Sequence, residues 1–383
     1  MSRPLRILLS AGEASGDRLG AGLARAIRAK APGADLVGMG GEEMAEAGVR
    51  IVQHASEVAV VGIVEVVRHL PAIRRAMSRL TRVIDEERPD LLVPIDFPDF
   101  NFRLVARAHR ASVPVVYYVS PQVWAWRKGR IETMRRLVRR VLVLFPFEAP
   151  FYEAAGVPAT FVGHPAAARR ERAQRADLLP RIGFDPGRPV VSLLPGSRVG
   201  EAGRILPVLL DAARRIGGRR AEVQFAVPEA RTLPAGFLDA IIARSQANGV
   251  RVVRGVYPGI LEVSDAGAVA SGTATLDAAL ADLPFLAVYR MQPLTFLIAR
   301  SLVKVDHIAL PNLVAGERVV TELVQGELTG EAVASGLLEI LADPSRAAGI
   351  RERLAVVRSL LRGDGAFERA ASAVLGEVSG APV

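Results

Sequence analysis

The sequence predicts two doubly wound, Rossmann-like α/β domains followed by a helical C-terminus. Three observations carry this. Short runs that are apolar throughout alternate with longer amphipathic stretches, as buried parallel strands alternate with the helices that cover them. The alternation breaks once, near residues 165–188, where Pro165-Ala-Ala-Ala-Arg-Arg-Glu-Arg-Ala-Gln-Arg-Ala-Asp177 offers little apolar surface. The chain has 383 residues, 50% of them hydrophobic, more than a single core usually serves.

Taken in order, strands are expected at 6–11, 35–38, 91–96, 114–120 and 141–145. After the break they are expected at 189–194, 223–227, 250–254, 266–270 and 285–289. Each run is short and several are β-branched, and most lack the alternation of a half-exposed strand. Helical periodicity fills the intervals, as at 18–30, 71–87 and 205–216. The break reads as a linker with a leading helix, and from 329 to 377 the pattern is helical with no further strand. The expected domains are 1–168 and 169–345, with helices 346–383 packing back on the first.

Composition removes several chemistries. There is no cysteine, which excludes disulfides, thiolate metal sites and cysteine nucleophiles, and fits a reducing cytosol. The net charge is +9, and of 49 basic residues only Lys30, Lys128 and Lys304 are lysines. A basic balance points to acidic partners, such as phosphorylated substrates or an anionic membrane surface. None of the lysines stands in a Gly-Lys-Ser/Thr setting, so no Walker-type loop is present. Gly38-Met-Gly-Gly41 lacks the third glycine of a dinucleotide fingerprint. His54, His69, His109, His164 and His307 are scattered, so no metal site or cofactor is expected, and Gly-x-Ser-x-Gly is absent. With aromatics at 5% and no RNP-like strand, nucleic-acid binding is not expected. The stretch from Ala111 to Trp126 is uncharged but broken by Pro114 and Pro121, too short to span a bilayer. The first ten residues briefly mimic a signal peptide before Glu13 and Asp17 interrupt, so the protein is expected to stay inside the cell.

What remains lies at strand ends, where open parallel sheets bind ligands. The first strand runs into Gly12-Glu13-Ala14-Ser15-Gly16-Asp17. Ser15 and Asp17 can cap the following helix or line a cleft, whereas Glu13 is placed to face a crevice. The strand ending at Ile95 delivers Asp96, followed by Asp99 and Asn101. Asp99 and Asn101 read as helix caps, leaving Asp96 for general-base work. In the second half, Pro195-Gly196-Ser197-Arg198 precedes a helix, and exposed amides beside an arginine suit a pyrophosphate. Ser271-Gly272-Thr273 repeats the device, and Asp277 lies one turn deeper on the same face, where an acid can accept from ribose hydroxyls. The plainer alternative is a helix start of small residues chosen for packing. Phosphate-type loops in one domain and carboxylates in the other imply a nucleotide-activated donor and a glycosyltransferase working without a metal.

The chain resembles the lipid-A-disaccharide synthase family. The blocks are Gly12-Glu-Ala-Ser-Gly-Asp17, Ile95-Asp-Phe-Pro-Asp-Phe-Asn101, Tyr118-Val-Ser-Pro-Gln-Val-Trp-Ala-Trp-Arg127 and Leu194-Pro-Gly-Ser-Arg198. Phe145-Pro-Phe-Glu148, Gly163-His-Pro165, Ser271-Gly-Thr-Ala-Thr275 and Leu310-Pro-Asn312 extend the match over nearly the whole chain. One departure is visible. The family commonly has glutamate after Ser-Gly-Thr-Ala-Thr-Leu, and here Asp277 stands instead.

The resemblance implies a GT-B type inverting transferase of lipopolysaccharide synthesis, its two domains facing a central cleft. The first domain would bind the acceptor and the second the UDP-sugar. The substrates would be UDP-2,3-diacylglucosamine and 2,3-diacylglucosamine 1-phosphate (lipid X), joined in a β(1→6) disaccharide 1-phosphate with release of UDP. Asp96 corresponds to the family's catalytic carboxylate, with Glu13 in reserve as base or acceptor-orienting group. Arg198 corresponds to its donor-phosphate arginine, and Asn312 to a further active-site position. Acylated substrates imply peripheral contact with the cytoplasmic face of the inner membrane. Residues 60–84 are one region suited to that contact. The other is Trp124 and Trp126 with the run through Arg127, Lys128, Arg130, Arg135, Arg136, Arg139 and Arg140. Both regions read equally as core and solvated helix. A homodimer is compatible with the sequence. The alternative reading is another GT-B enzyme of the UDP-N-acetylglucosamine type, a transferase or an epimerase.

Overall fold

The computed structural model describes residues 3–58, 63–119, 128–169, 171–292 and 307–379. Trp124, Trp126 and Arg127 therefore lie outside the described residues. The chain divides into two compact units, one of residues 1–168 with 361–383, the other of 169–360. The change of unit comes later than the sequence boundary at 345/346, because the helix Pro344–Leu361 belongs almost wholly to the second unit.

The first unit holds a seven-stranded, all-parallel sheet. Its strands are β1 (Arg6–Ala11), β2 (Asp35–Gly40), β3 (Arg50–His54), β4 (Leu91–Ile95), β5 (Val116–Tyr118), β6 (Arg140–Val143) and β7 (Ala159–Phe161). Their order is β3-β2-β1-β4-β5-β6-β7. The chain winds outward from β1 in one direction and from β4 in the other, so the order reverses between them.

Side chains explain why these strands are apolar throughout. Ile7, Leu9, Leu91, Val93 and Ile95 point into one core with Leu23, Ile27, Ala370 and Val374. Leu8, Val37, Met39 and Leu92 point into another with Leu104, Val105 and Leu80. With both faces covered, each of these leucines removes its side chain from water, worth about 1.5–3 kcal/mol apiece.

The last helix, Ala366–Ser379, lies along the helix Ala14–Lys30. Gly22 permits the approach, since a Cβ there would stand 2.2 Å from the Phe367 ring. Arg140 pairs with Glu377 at 2.6 Å, and Arg369 donates to the Val162 carbonyl at 2.8 Å, tying the helix to the far edge of the sheet.

The second unit holds a six-stranded parallel sheet, ordered β10-β9-β8-β11-β12-β13. The strands are β8 (Val190–Leu194), β9 (Gln224–Pro228), β10 (Val250–Val253), β11 (Ala266–Ala270), β12 (Phe285–Tyr289) and β13 (Thr321–Val324). Here the order reverses between β8 and β11. β8 and β11 are buried at every residue.

Candidate active site

In the first unit β1 and β4 end side by side, with Ala11 opposite Ile95. The chain leaves β1 through Gly12 and Glu13 into the helix Ala14–Lys30, and leaves β4 through Asp96 and Phe97 into the helix Pro98–Arg110. Because the two connections diverge from the point of reversal, the strand ends between them are open to a ligand.

Asp96 and Phe97 both take left-handed backbone, with φ of 46° and 49°. For residues other than glycine this costs roughly 1–2 kcal/mol each, so neighbours must enforce it. The Asp96 amide donates to the Tyr118 carbonyl at 3.1 Å. Its own carbonyl accepts from Asn101 Nδ2 at 2.7 Å and from the Tyr117 hydroxyl at 2.9 Å. Asn101 is fully buried and also exchanges hydrogen bonds with Ser10, whose Oγ donates to Oδ1 at 2.7 Å. Asn101 is thus a clamp on the turn rather than the helix cap expected of it. Asp99, the other expected cap, pairs with Arg130. The Phe97 ring folds over Gly12, where a Cβ would stand 2.2 Å away, so glycine is needed at that position.

This turn sets the charge state of Asp96. Burial, reinforced by the Glu13 carboxylate and opposed by the Phe97 amide, pushes its pKa up to about 6. Glu13 is exposed at the N-cap position of its helix and makes no capping bond with its side chain, and Ser15 is exposed on the first turn. Asp17 behaves differently from either sequence reading. Its buried carboxylate accepts from the amides of Gly41 at 2.6 Å, Glu43 at 3.1 Å and Met44 at 3.2 Å. It caps the helix Glu42–Glu46, not its own, and that engagement leaves it a structural acid.

In the second unit the two expected loops follow the two strands flanking the reversal, which pair with Leu194 opposite Val269. After β8, Gly196 has φ 105° and Arg198 is the exposed N-cap residue of the helix Val199–Gly217. Thr232 pins this loop by donating to the Ser197 carbonyl at 2.5 Å. After β11, Gly272 has φ 147° and Thr273 opens the helix Thr273–Leu280 with its side chain exposed. Ser271 Oγ donates to the Ile308 carbonyl at 3.0 Å, so its hydroxyl fixes the loop. Asp277 accepts from the Tyr257 hydroxyl, an exposed aromatic that sequence reading passed over.

Asn312 is fully buried, and its amide is saturated. It donates to the Val320 carbonyl at 2.9 Å and to Glu322 at 2.8 Å, and accepts from the Val319 and Val320 amides, each at 2.9 Å. Glu322 in turn accepts from the amides of Ile308 and Ala309 at 3.0 and 2.9 Å. The side chain of Asn312 therefore shapes the wall beside Ser271 instead of reaching into the site. Among the described residues no three histidine, aspartate or glutamate side chains cluster as metal ligands would. Tyr117, Tyr257 and Glu322 had no local signal in the sequence, because their partners come from other elements.

Known proteins share both the pattern and the fold. A family model described as lipid-A-disaccharide synthetase matches residues 7–373. The lipid-A-disaccharide synthase of Geobacter sulfurreducens is 46% identical over 97% of this chain and 96% of its own length. That of Myxococcus xanthus is 41% identical over 98% of each. Among solved structures, the UDP-GlcNAc 2-epimerase of Neisseria meningitidis bound to UDP-GlcNAc superposes with a TM-score of 0.65 at 11% identity. It covers 97% of this chain and 100% of its own. The glycotransferase of kitacinnamycin gives 0.63 at 17% identity, covering 100% of both chains. At those identities the likeness is one of fold, the GT-B class, with two parallel sheets flanked by helices and a helical C-terminus.

Proposed function

Because this chain belongs to the lipid-A-disaccharide synthase family, we propose that it transfers 2,3-diacylglucosamine from UDP-2,3-diacylglucosamine to the 6-hydroxyl of lipid X. The products are the β(1→6) disaccharide 1-phosphate and UDP, with inversion at the donor carbon. The observation that carries the mechanism is Asp96, a largely buried carboxylate clamped at the reversal of the first sheet and poised at a pKa of about 6. A base with that pKa is mostly ionised at neutral pH yet retains useful proton affinity, the compromise general-base catalysis favours. Asp96 takes the proton from the acceptor hydroxyl as that oxygen attacks C1 of the donor. Glu13 orients the acceptor and adds to the rise in pKa that burial gives Asp96. Charge develops on the departing diphosphate, where Arg198 and the amides of Gly196 and Ser197 stabilise it. Ser271, Gly272 and Thr273 contact the donor from the neighbouring strand end. Donors of this kind typically contribute roughly 2.7–4 kcal/mol apiece to a transition state. Asp277, held by Tyr257, accepts from the ribose.

UDP release by purified protein, with and without lipid X, tests this beside Asp96→Ala. Acceptor-dependent release with a disaccharide product, both lost in the variant, is the expected result. Activity surviving in Asp96→Ala moves the base to Glu13. No release from folded protein in detergent micelles rejects the acylated substrate.

The acyl chains of both substrates favour work at the cytoplasmic face of the inner membrane. No described helix is long and apolar enough to cross a bilayer. The helix Lys128–Leu137 supports a peripheral contact, since Arg135 and Arg136 are exposed on it. Reversing both charges is expected to weaken co-sedimentation with anionic vesicles, and unchanged sedimentation excludes this helix as the contact.

A further inference from the structure

The loop after β8 already holds an anion of the protein's own. A Cβ at Gly196 would stand 2.2 Å from Oε2 of Glu201 and 2.4 Å from its carboxyl carbon, so this carboxylate lies directly over the loop backbone. Burial disfavours its charge, while the Arg198 guanidinium and, after it, the backbone of Ser197 and Arg198 favour it. Glu201 is three residues beyond the N-cap residue Arg198, the position from which an acidic side chain can reach back toward the start of its own helix. A cap alone would be unremarked on most helices. Here the loop it lies over is the one an anionic ligand needs, beside the arginine that same ligand needs. Two anions cannot share them.

We infer that Glu201 is a specificity-determining residue, an internal competitor seated where the donor diphosphate binds and displaced by it. This rests on the UDP-sugar reading above. The displaced side chain has a destination, because Arg204 on the next turn also attracts it and lies against Gly200, with Nη1 3.5 Å from the position of a Cβ there. Apparent affinity for a ligand falls by the fraction of time its seat is open. A carboxylate seated about nine times in ten weakens phosphate binding roughly tenfold. The same return of Glu201 after bond cleavage hastens departure of UDP. Groups without phosphate, such as uridine, do not compete for the seat and are indifferent to it.

Titration calorimetry of UDP and uridine against wild type, Glu201→Gln and Glu201→Ala tests the inference. Glutamine keeps the capping reach but removes the charge, so the fold is retained, as matching melting curves would verify. UDP is expected to bind Glu201→Gln roughly three- to tenfold more tightly than wild type, with uridine unchanged. Glu201→Ala is expected to tighten UDP as well, at some loss of helix stability. UDP binding that is equal or weaker in both variants, while wild type binds UDP, overturns this inference alone and leaves Glu201 a cap. A folded wild type that binds no UDP overturns the nucleotide reading and this inference with it.

Discussion

With Asp96 proposed as the base, the acidic limb of the pH–rate profile is expected to follow its ionisation, and Glu13→Gln is the perturbation that isolates it. Asp96 is raised from 3.8 to about 6 by burial first and by the Glu13 carboxylate second. At about 1.36 kcal/mol per unit this is a disfavouring of its charged form by roughly 3 kcal/mol. The ionised fraction is then about ten to one at neutral pH and about one to ten at pH 5, so kcat/KM rises roughly tenfold between those points. Removing the Glu13 charge lowers the limb but leaves it above 3.8, since burial, the larger cause, is untouched. The assay is UDP release at subsaturating donor across about pH 4.5 to 8.

Stability carries the opposite sign. A carboxyl whose pKa is higher folded than unfolded destabilises the protein progressively from about pH 4 to 6, and the deficit persists above that. Asp96→Asn should therefore melt higher than wild type at pH 8, by up to about 3 kcal/mol, while kcat/KM falls roughly 10²- to 10⁴-fold. A limb below about pH 4.5, a limb that Glu13→Gln raises or leaves in place, or an Asn variant less stable at pH 8 refutes the reasoning.

Three further outcomes follow from other positions. Arg198→Ala should weaken UDP roughly ten- to a hundredfold by calorimetry and leave uridine unaffected, because the bonds proposed for this arginine are charge-assisted bonds to phosphate. Gly12→Ala should displace the Phe97 ring and lower kcat more than donor affinity, a split read from initial rates, since a Cβ would stand 2.2 Å from that ring. Asn312→Ala should lower the melting temperature by an amount equivalent to about 2–4 kcal/mol, as the buried amides of Val319 and Val320 lose their acceptor. Activity measured well below that melting point should fall less than in Asp96→Ala, the mark of a wall residue.

By itself the sequence determined the central strands, and with them the strand ends at the two reversals of sheet order. β1, β4, β8 and β11 were legible because strands covered on both faces must be apolar at every position, and no helix of that length reads the same way between turn residues. Gly12, Asp96, Gly196, Arg198 and Gly272 were legible as the residues that follow those strands. Strands β3, β7 and β13 were missed, and all three are sheet edges. An edge strand such as Thr321–Val324 is only partly buried, so it carries no continuous apolar run to announce it.

Tertiary structure alone decided which polar groups are free to act. Asp17 and Asn312 carry the right chemistry in the right motifs, yet one is spent on the amides of a neighbouring helix and the other on its own loop. Asp96 owes its turn to Tyr117 and Tyr118, and its raised pKa to burial first and the Glu13 carboxylate second, all supplied by segments separate from it in sequence. A motif specifies the functional group. Its hydrogen-bond partners and desolvation are set by segments brought together only when the sheet forms, and these decide whether the group is a base, a cap or a wall.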